Sequence, residues 1–213
     1  MPTVKEVLND TKKRLKEQGI DTYSLDSSLL VSEVTGLTKI QLVTHDRDEV
    51  TEEQINRLEN LVKERLKNKP MQYILGHCEF MGLDFKVTEN TLIPRGDTEN
   101  IVEEVIATIE NSGYNNVLDM CTGTGAIAIS VAHYTKAKVT ASDISSKALE
   151  VARENAKILN ADVNFIESDL FENINETFDV LVSNPPYIES EVIPTLMEQV
   201  KDYEPMLALD GGK

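Results

Sequence analysis

Apolar residues in the first 70 positions recur every three or four residues, which is the spacing of one face of an α-helix. Two such stripes end at Gly19 and Gly36, and a shorter third stripe follows them. The fourth follows a capping box, in which the Thr51 hydroxyl accepts a hydrogen bond from the Gln54 amide and the Gln54 side chain reaches back. The pattern predicts a small all-α domain over residues 1–70. Its apolar positions are those of a helical-bundle core rather than of a ligand site.

From residue 71 the pattern changes to short β-prone runs that are broken by Gly76 and Gly82. The runs are Tyr73–Leu75, Phe80 and Leu83–Val87. Such runs predict a β-hairpin. Thr91–Arg95 continues in extended form, because the residue before a proline is kept out of the helical region. We therefore predict a β-hairpin and extended linker over residues 71–95.

Beyond residue 96, short apolar runs alternate with helical stripes. The four predicted strands are Asn116–Met120, Lys138–Asp143, Val163–Ser168 and Phe178–Ser183. Three helices are predicted. Asp97 caps the first, and the other two begin at Ala126 and at Ser146. Strands and helices that alternate through short connections are typical of a parallel, doubly wound sheet. The pattern predicts an α/β fold with a Rossmann-like sheet over residues 96–213.

No further strand is predicted in the chain after the fourth, Phe178–Ser183. A fourth strand left uncovered would be an exposed edge, which natural sheets usually avoid. We therefore expect a sheet that is truncated on its C-terminal side.

Charge narrows the choice of partners. The chain has 37 acidic and 21 basic side chains, which give a formal net charge of -16. Proteins that bind a nucleic-acid backbone usually present a cationic face, because phosphate contacts supply most of the non-specific affinity. The acidic balance argues against direct nucleic-acid binding and suits a basic protein partner. The alternative interpretation is that the acidic excess only keeps the protein soluble.

The two cysteines, Cys78 and Cys121, lie far apart and lack the spacing of metal ligands. No apolar run approaches the roughly 20 residues that cross a bilayer. No lysine- or arginine-led apolar segment precedes the first helical stripe, so no secretory signal is visible. These features predict a cytoplasmic protein with no metal site and no membrane span.

The segment Asp119–Gly125 links the first strand of the sheet to its helix. Gly123 and Gly125 allow a sharp turn and the close approach of a ligand, and the helix behind them offers free amide donors. Asp143 ends the next strand about 20 residues later, where an acidic side chain commonly holds ribose hydroxyls. The loop is not a P-loop, and Ile129 stands where a third dinucleotide glycine could fall. The pattern favours an adenosine ligand without a pyrophosphate.

The sequence Asn-Pro-Pro-Tyr at residues 184–187 follows the fourth strand. Two successive prolines fix two φ angles, so the turn is rigid. The Asn184 side chain and the Pro185 backbone each offer a carbonyl acceptor, and Tyr187 can stack on a planar group. Two fixed acceptors can hold both N–H groups of an amide or amine and direct its nitrogen at a methyl group. The motif predicts methyl transfer without a histidine base, and a plain Asx-Pro turn is the structural alternative.

Taken together, these motifs resemble those of the protein-(glutamine-N5) methyltransferase family, which methylates the glutamine of the Gly-Gly-Gln loop in class-1 peptide chain release factors. The segments that carry the resemblance are Tyr73–Gly76, Glu79–Phe80, Thr91–Arg95, Asp97–Glu99, Thr122–Ala126, Ser168–Leu170 and Asn184–Tyr187. The resemblance implies that S-adenosylmethionine is the cofactor, that class-1 release factors are the partners, and that the helical domain recognises them.

The resemblance also implies the position of each ligand. The cofactor-binding residues that it implies are Cys121, Thr122, Gly123, Thr124, Gly125, Asp143, Leu170 and Asn184. The substrate-binding residues are Asn184, Pro185, Pro186 and Tyr187, and the expected catalytic ones are Asn184, Pro185 and Tyr187.

Two positions depart from the family pattern: Cys121 stands where glycine is usual, and Gly96 stands where proline is usual. Two other functions stay open. A nucleic-acid adenine-N6 methyltransferase uses the same turn on an exocyclic amine, which in a duplex requires base flipping. An inactive, truncated cofactor-binding fragment would keep the glycine loop without the activity.

Overall fold

The computed structural model describes residues 1–213, which pack as two separate units, Met1–Leu75 and Gly76–Lys213. This boundary lies five residues beyond the end predicted for the helical domain, because one more short helix packs into the first unit.

Five helices form the first unit. They are α1 (Val4–Glu17), α2 (Tyr23–Thr35), α3 (Gln41–Thr44), α4 (Glu52–Arg65) and α5 (Met71–Leu75). The predicted capping box is confirmed, since Gln54 N donates to Thr51 Oγ1 at 3.2 Å and Thr51 N donates to Gln54 Oε1 at 2.9 Å. An equivalent box of Thr3 and Glu6 starts α1. The apolar faces of these helices meet in one buried core, as the periodicity predicts.

The β-prone interpretation of Tyr73–Leu75 was wrong. These residues belong to α5, whose first turn closes with a hydrogen bond from Ile74 N to Pro70 O at 3.1 Å. A proline just before or at the start of a helix is favourable, because its missing N–H would have no helical partner there. A short apolar run fits a helix or a strand equally well. Burial of Met71 in the helical core favours the helix here.

A buried ion pair joins α2 to α4. Arg65 Nε donates to Asp26 Oδ2 at 2.7 Å, and both side chains are less than a tenth exposed. Arg65 Nη1 also donates to the Lys69 carbonyl at 3.1 Å, and Asp26 Oδ2 accepts from Thr22 Oγ1 at 2.8 Å. Each buried charge is therefore neutralised and hydrogen-bonded, and either one alone would be uncompensated.

The predicted hairpin is present as two antiparallel strands, β1 (His77–Phe80) and β2 (Leu83–Lys86). Phe80 and Phe85 are buried in the core of the second unit, with their ring centroids 6.0 Å apart in an edge-to-face arrangement. The hairpin thus packs as part of that unit.

A four-stranded parallel sheet forms the centre of the second unit. Its strands are β3 (Asn116–Met120), β4 (Lys138–Asp143), β5 (Val163–Glu167) and β6 (Val180–Ser183), in the order β5-β4-β3-β6. The chain runs outward from β3 to β5 and returns to place β6 on the other side of β3. This reversal confirms the predicted doubly wound, Rossmann-like α/β fold.

Three long helices pack in this unit: α6 (Asp97–Ser112), α7 (Ala126–Tyr134) and α8 (Ser146–Ile158). Residues 126–131 of α7 are all buried, which explains why this helix is apolar on every side. Asp97 is the first helical residue of α6, so the predicted cap is displaced to Gly96, whose φ of -55° is one that a proline also adopts. No helix of either unit combines the length and apolarity that a membrane crossing needs.

The expectation that no strand follows the fourth was wrong. Two short strands, β7 (Ile188–Glu189) and β8 (Asp210–Gly212), pair in parallel as a separate sheet. A 3₁₀ turn (Ile193–Thr195) and the short helices α9 (Glu198–Lys201) and α10 (Met206–Leu209) lie between them. Strands this short carry too little alternation to be recognised in a sequence.

Candidate active site

Two loops leave the sheet side by side. Met120 ends β3 and Ser183 ends β6, the two residues are register partners, and Ser183 Oγ donates to the Met120 carbonyl at 2.7 Å. The glycine loop therefore starts beside the Asn-Pro-Pro-Tyr turn. This point lies where the strand order reverses, the position at which open α/β sheets bind ligands.

The two glycines of the loop have different roles. Gly125 has a φ of +80°, and a Cβ on it would lie 2.8 Å from Ile129 Cδ1 and 3.2 Å from Ala152 Cβ. It permits α7 and α8 to pack closely. Gly123 has a φ of +57°, and a Cβ there would meet no protein atom within 4 Å, although the residue lines a cavity. Gly123 thus leaves open space for a ligand.

Cys121 has a φ of +62°, in the left-handed region that favours glycine. This geometry explains why glycine suits the position in the family that the sequence resembles. Burial raises the pKa of the Cys121 thiol, which a hydrogen bond to Ser183 partly offsets. A raised pKa disfavours the thiolate, which is the reactive form of a cysteine.

Asp143, at the end of β4, holds the glycine loop in place. Its Oδ2 accepts from Gly123 N at 2.9 Å, and its Oδ1 accepts from Ser145 N at 2.9 Å. Each carboxylate oxygen keeps a further lone pair. The predicted ribose-binding residue is thus oriented by backbone amides and still has acceptor capacity towards the cavity.

Asp119 supports the loop from below and was not predicted as a separate site residue. It is fully buried, and its Oδ2 accepts from Thr122 Oγ1 at 2.5 Å and from Ala128 N at 3.1 Å. Burial raises the pKa of Asp119 to about 7, although these hydrogen bonds lower it. The carboxyl group fixes both ends of the loop, and its position at the end of an apolar strand was the available sequence signal.

Asn155 on α8 was also missed. Its Nδ2 donates to the carbonyls of Thr124 and Lys86, both at 3.0 Å, while its Oδ1 accepts from Lys86 N at 2.7 Å. One buried amide thus ties the glycine loop to the hairpin. No local pattern in the sequence identifies such a long-range contact.

A cavity of about 590 Å³ opens above these loops. The predicted site residues in its walls are Cys121, Thr122, Gly123, Thr124, Asp143, Leu170, Asn184, Pro185 and Pro186. Gly125 and Tyr187 are not among its wall residues. Residues 90–95 and 205–211 supply further wall positions that the sequence analysis did not assign as site residues.

A second cavity, of about 370 Å³, adjoins the first. Tyr187 lies in its wall and is 79% exposed, whereas Asn184 and Pro185 line both cavities. The turn therefore separates two spaces that can each hold a ligand.

Strand β8 packs closely against the Asn-Pro-Pro-Tyr turn at Gly211. A Cβ on Gly211 would lie 2.8 Å from Tyr187 Cα and 2.9 Å from the Pro186 carbonyl oxygen, so only glycine allows this approach. Ser190 Oγ donates to Asp210 Oδ1 at 2.7 Å and strengthens the β7–β8 pairing. The rigidity predicted from the prolines is thus supported by packing.

Two family models match the chain. Residues 6–76 match the PrmC N-terminal domain, and residues 101–210 match the Methyltransferase small domain. The chain is 43% identical over 216 residues to a protein of Clostridium acetobutylicum named release factor glutamine methyltransferase, covering 99% of this chain and 76% of that protein.

The chain belongs to the release factor glutamine methyltransferase family.

A protein of the same name from Fusobacterium nucleatum subsp. nucleatum is 44% identical over 210 residues, which cover 96% of this chain and 59% of that protein. Among solved structures, the Pyrococcus abyssi tRNA (uracil-54, C5)-methyltransferase in complex with S-adenosyl-L-homocysteine has 27% identity and a TM-score of 0.44. The matched region covers 51% of this chain and 28% of the chain in that structure. The sequence relatives and the two family models confirm the resemblance seen in the motifs.

As a member of the release factor glutamine methyltransferase family, the chain is an enzyme that depends on S-adenosylmethionine. The larger cavity fits this cofactor. It offers a carboxylate at Asp143, the open approach at Gly123, and the partly exposed apolar side chains of Ile144 and Leu170 for a flat ring.

Proposed function

We propose that this chain transfers a methyl group from S-adenosylmethionine to the side-chain amide nitrogen (N5) of the glutamine in the Gly-Gly-Gln motif of class-1 release factors. The observation that carries the proposal is the position of the Asn184–Tyr187 turn between two adjoining cavities. The larger cavity suits the methyl donor and the smaller one the acceptor. Proteins named release factor glutamine methyltransferase are similar to this chain over nearly its whole length.

In this proposal, Asn184 and Pro185 orient the acceptor nitrogen. The Asn184 side chain makes no hydrogen bond within the protein, so its carbonyl is available to a substrate. Together with the Pro185 carbonyl it accepts both N–H bonds of a glutamine amide, and the nitrogen then faces the larger cavity. The bound cofactor supplies an electrophilic sulfonium methyl group. In the transfer the amide nitrogen would gain one N–C bond, the S–C bond of the sulfonium would break to leave a neutral thioether, and the N–H proton of the amide would pass to solvent.

Tyr187 supplies a flat surface in this proposal. Its ring is largely exposed in the wall of the smaller cavity and can stack on a planar carboxamide. The two preceding prolines fix the backbone path, so the position of the Tyr187 Cα is largely set before a substrate binds.

The cofactor side of the proposal rests on the glycine loop, Asp143 and Leu170. Cys121, Thr122 and Thr124 line the same wall, and Gly125 acts indirectly by keeping α7 close to α8. In this proposal Asp143 accepts from the ribose hydroxyls, and Leu170 packs on the adenine.

The helical unit is proposed to recognise the release factor. No residue before Phe80 lines either cavity, so this unit has no part in the chemistry. Its α3 region exposes Ile40 by 77% and Val43 by 75%, which gives an apolar contact for a protein partner. Release factors act in the cytoplasm, and we propose the same compartment for this chain.

The charge distribution favours a protein substrate over a nucleic acid. The unit that holds both cavities, Gly76–Lys213, has 9 basic and 24 acidic side chains, a net charge of -15, whereas Met1–Leu75 has 12 and 13. A surface this acidic repels a phosphate backbone. The adenine-N6 alternative is therefore disfavoured.

The test is incubation of the chain with methyl-labelled S-adenosylmethionine and either a class-1 release factor or adenine-containing DNA. Label in the release factor, and none in a variant with asparagine in place of the motif glutamine, supports the proposal. Label in DNA would support the adenine-N6 alternative. Cofactor binding without label in either would support an inactive cofactor-binding fragment.

Asp143→Ala should weaken S-adenosylmethionine binding by about 1.5 to 3 kcal/mol, the range for hydrogen bonds to a charged group. The loss has two sources, the missing ribose acceptor and the released amide of Gly123. Asp143→Asn is the matched variant, and it should lose less because it keeps one acceptor. Calorimetric titration measures both, and an unchanged dissociation constant for Asp143→Ala would refute the ribose assignment.

The two glycines should respond differently to alanine. Gly125→Ala should lower the free energy of unfolding by about 2 to 3 kcal/mol, through the left-handed backbone and the overlap with Ile129. Gly123→Ala should lower the free energy of unfolding by about 1 kcal/mol, through the left-handed backbone alone. Its methyl group, however, enters the cofactor cavity. Chemical denaturation and cofactor titration separate the two effects. Equal cofactor affinity of Gly123→Ala and the parent chain would contradict this assignment.

A further inference from the structure

Arg95 is the only basic residue in the walls of either cavity. It lines both of them, in a unit whose net charge is -15. The other charged residues in these walls are acidic: Asp143, Asp169 and Asp210 in the larger cavity and Asp97 in the smaller. Any anionic group of a bound ligand therefore has a single side chain of opposite charge to pair with.

A buried carboxylate holds Arg95 in this position. Arg95 Nη2 donates to Glu204 Oε1 at 2.6 Å, and the Glu204 side chain is 2% exposed. Burial raises the pKa of Glu204, while the hydrogen bond from Arg95 lowers it. Glu204 comes from the segment that follows α9, so the pair joins two wall segments that are distant in sequence.

Most of the Arg95 guanidinium remains available. Of its five N–H donors, the protein contacts engage those of Nη2 only, and the side chain is 41% exposed. The 16-residue helix α6 begins two residues later, and Thr98 in its first turn also lines both cavities. The positive end of the helix dipole lies at this wall and adds to the attraction for an anion.

We propose that Arg95 binds the α-carboxylate of the methionine part of S-adenosylmethionine, and that Glu204 positions it for this contact. The inference rests on the proposed cofactor site. With the adenosine part at Asp143 and Leu170, the amino-acid part extends towards the rest of the wall, which includes Arg95 and Thr98. The carboxylate is the one anionic group of this cofactor. A planar guanidinium with free donors is well matched to it.

The test compares two ligands that differ only in that group, S-adenosylmethionine and decarboxylated S-adenosylmethionine. Their dissociation constants are measured by calorimetry on the 213-residue chain, on Arg95→Lys, on Arg95→Gln and on Glu204→Gln. Because Arg95→Gln leaves Glu204 buried and unpaired, the double variant Arg95→Gln/Glu204→Gln is included, in which both charges are removed together. Lys147→Gln, an exposed residue that lines neither cavity, is the control for loss of one positive charge.

The parent chain and Lys147→Gln should bind S-adenosylmethionine about 10- to 100-fold more tightly than the decarboxylated ligand, the effect of a charge-assisted hydrogen bond. This ratio should fall to about 1 to 3 in the double variant and should be intermediate in Arg95→Lys. Glu204→Gln alone should reduce the ratio in part, because Arg95 is then less firmly held.

A double variant that folds and keeps the parent ratio would overturn the inference, and so would a parent ratio near one. If the parent chain binds neither ligand, the proposed cofactor site itself is wrong. A role of Arg95 in packing alone would weaken both ligands equally and leave the ratio unchanged.

Discussion

Asn184→Ala should lower the rate of methyl transfer about 10²- to 10³-fold, the effect of removing one preorganised polar contact, about 2.7 to 4 kcal/mol, from an active site. The substitution removes one of two acceptors that hold the glutamine amide, while Pro185 and Pro186 keep the backbone path. Orientation matters most in the transition state, so the loss should appear in kcat. Cofactor affinity should change much less.

Single-turnover transfer to a release factor, with a parallel cofactor titration, measures both quantities. Asn111→Ala is the matched control, since Asn111 is exposed near the end of α6 and lines neither cavity. The control should keep the parent rate. Near-parental turnover of Asn184→Ala would show that the turn is structural.

Asp26→Ala should destabilise the helical unit by about 3 to 5 kcal/mol, because it leaves the buried Arg65 charge without a partner. This loss is comparable to the whole stability of many small domains, so we expect the unit to be partly unfolded at room temperature. Loss of helical circular dichroism during urea titration measures the change.

Glu33→Ala is the matched control for this prediction. Glu33 pairs with Arg57, whose side chain is 57% exposed, and an exposed pair of this kind contributes about 0 to 1 kcal/mol. Similar losses in the two variants would contradict the distinction between buried and exposed pairs.

Features that depend on nearby residues could be predicted from the sequence. The capping box of Thr51 and Gln54 and the four strands of the sheet follow from spacing within short windows. The likeness of the motifs to a family located the two site loops, and the structure places them side by side.

Features that depend on distant residues could not be predicted. The separate roles of Gly123 and Gly125 depend on whether Ile129 and Ala152 lie beside them. The contact of Gly211 with the turn needs a two-residue strand to pair with a three-residue one. No local spacing reveals contacts of this kind.

The functional meaning of a charged residue also depends on where it lies in the fold. The net charge of -16 indicated a basic partner in general terms. Only the structure shows that Arg95 is the single basic residue in either cavity and that Glu204 holds it.

Mass-spectrometric mapping of a release factor after incubation with this chain and S-adenosylmethionine tests the proposed activity most directly. We predict a mass increase of one methyl group on the peptide that contains the Gly-Gly-Gln motif, located at the glutamine side chain. The increase should be absent when the chain carries Asn184→Ala and the reaction is stopped early. A methyl group on any other residue of the release factor, or an unmodified Gly-Gly-Gln peptide, would contradict the proposal.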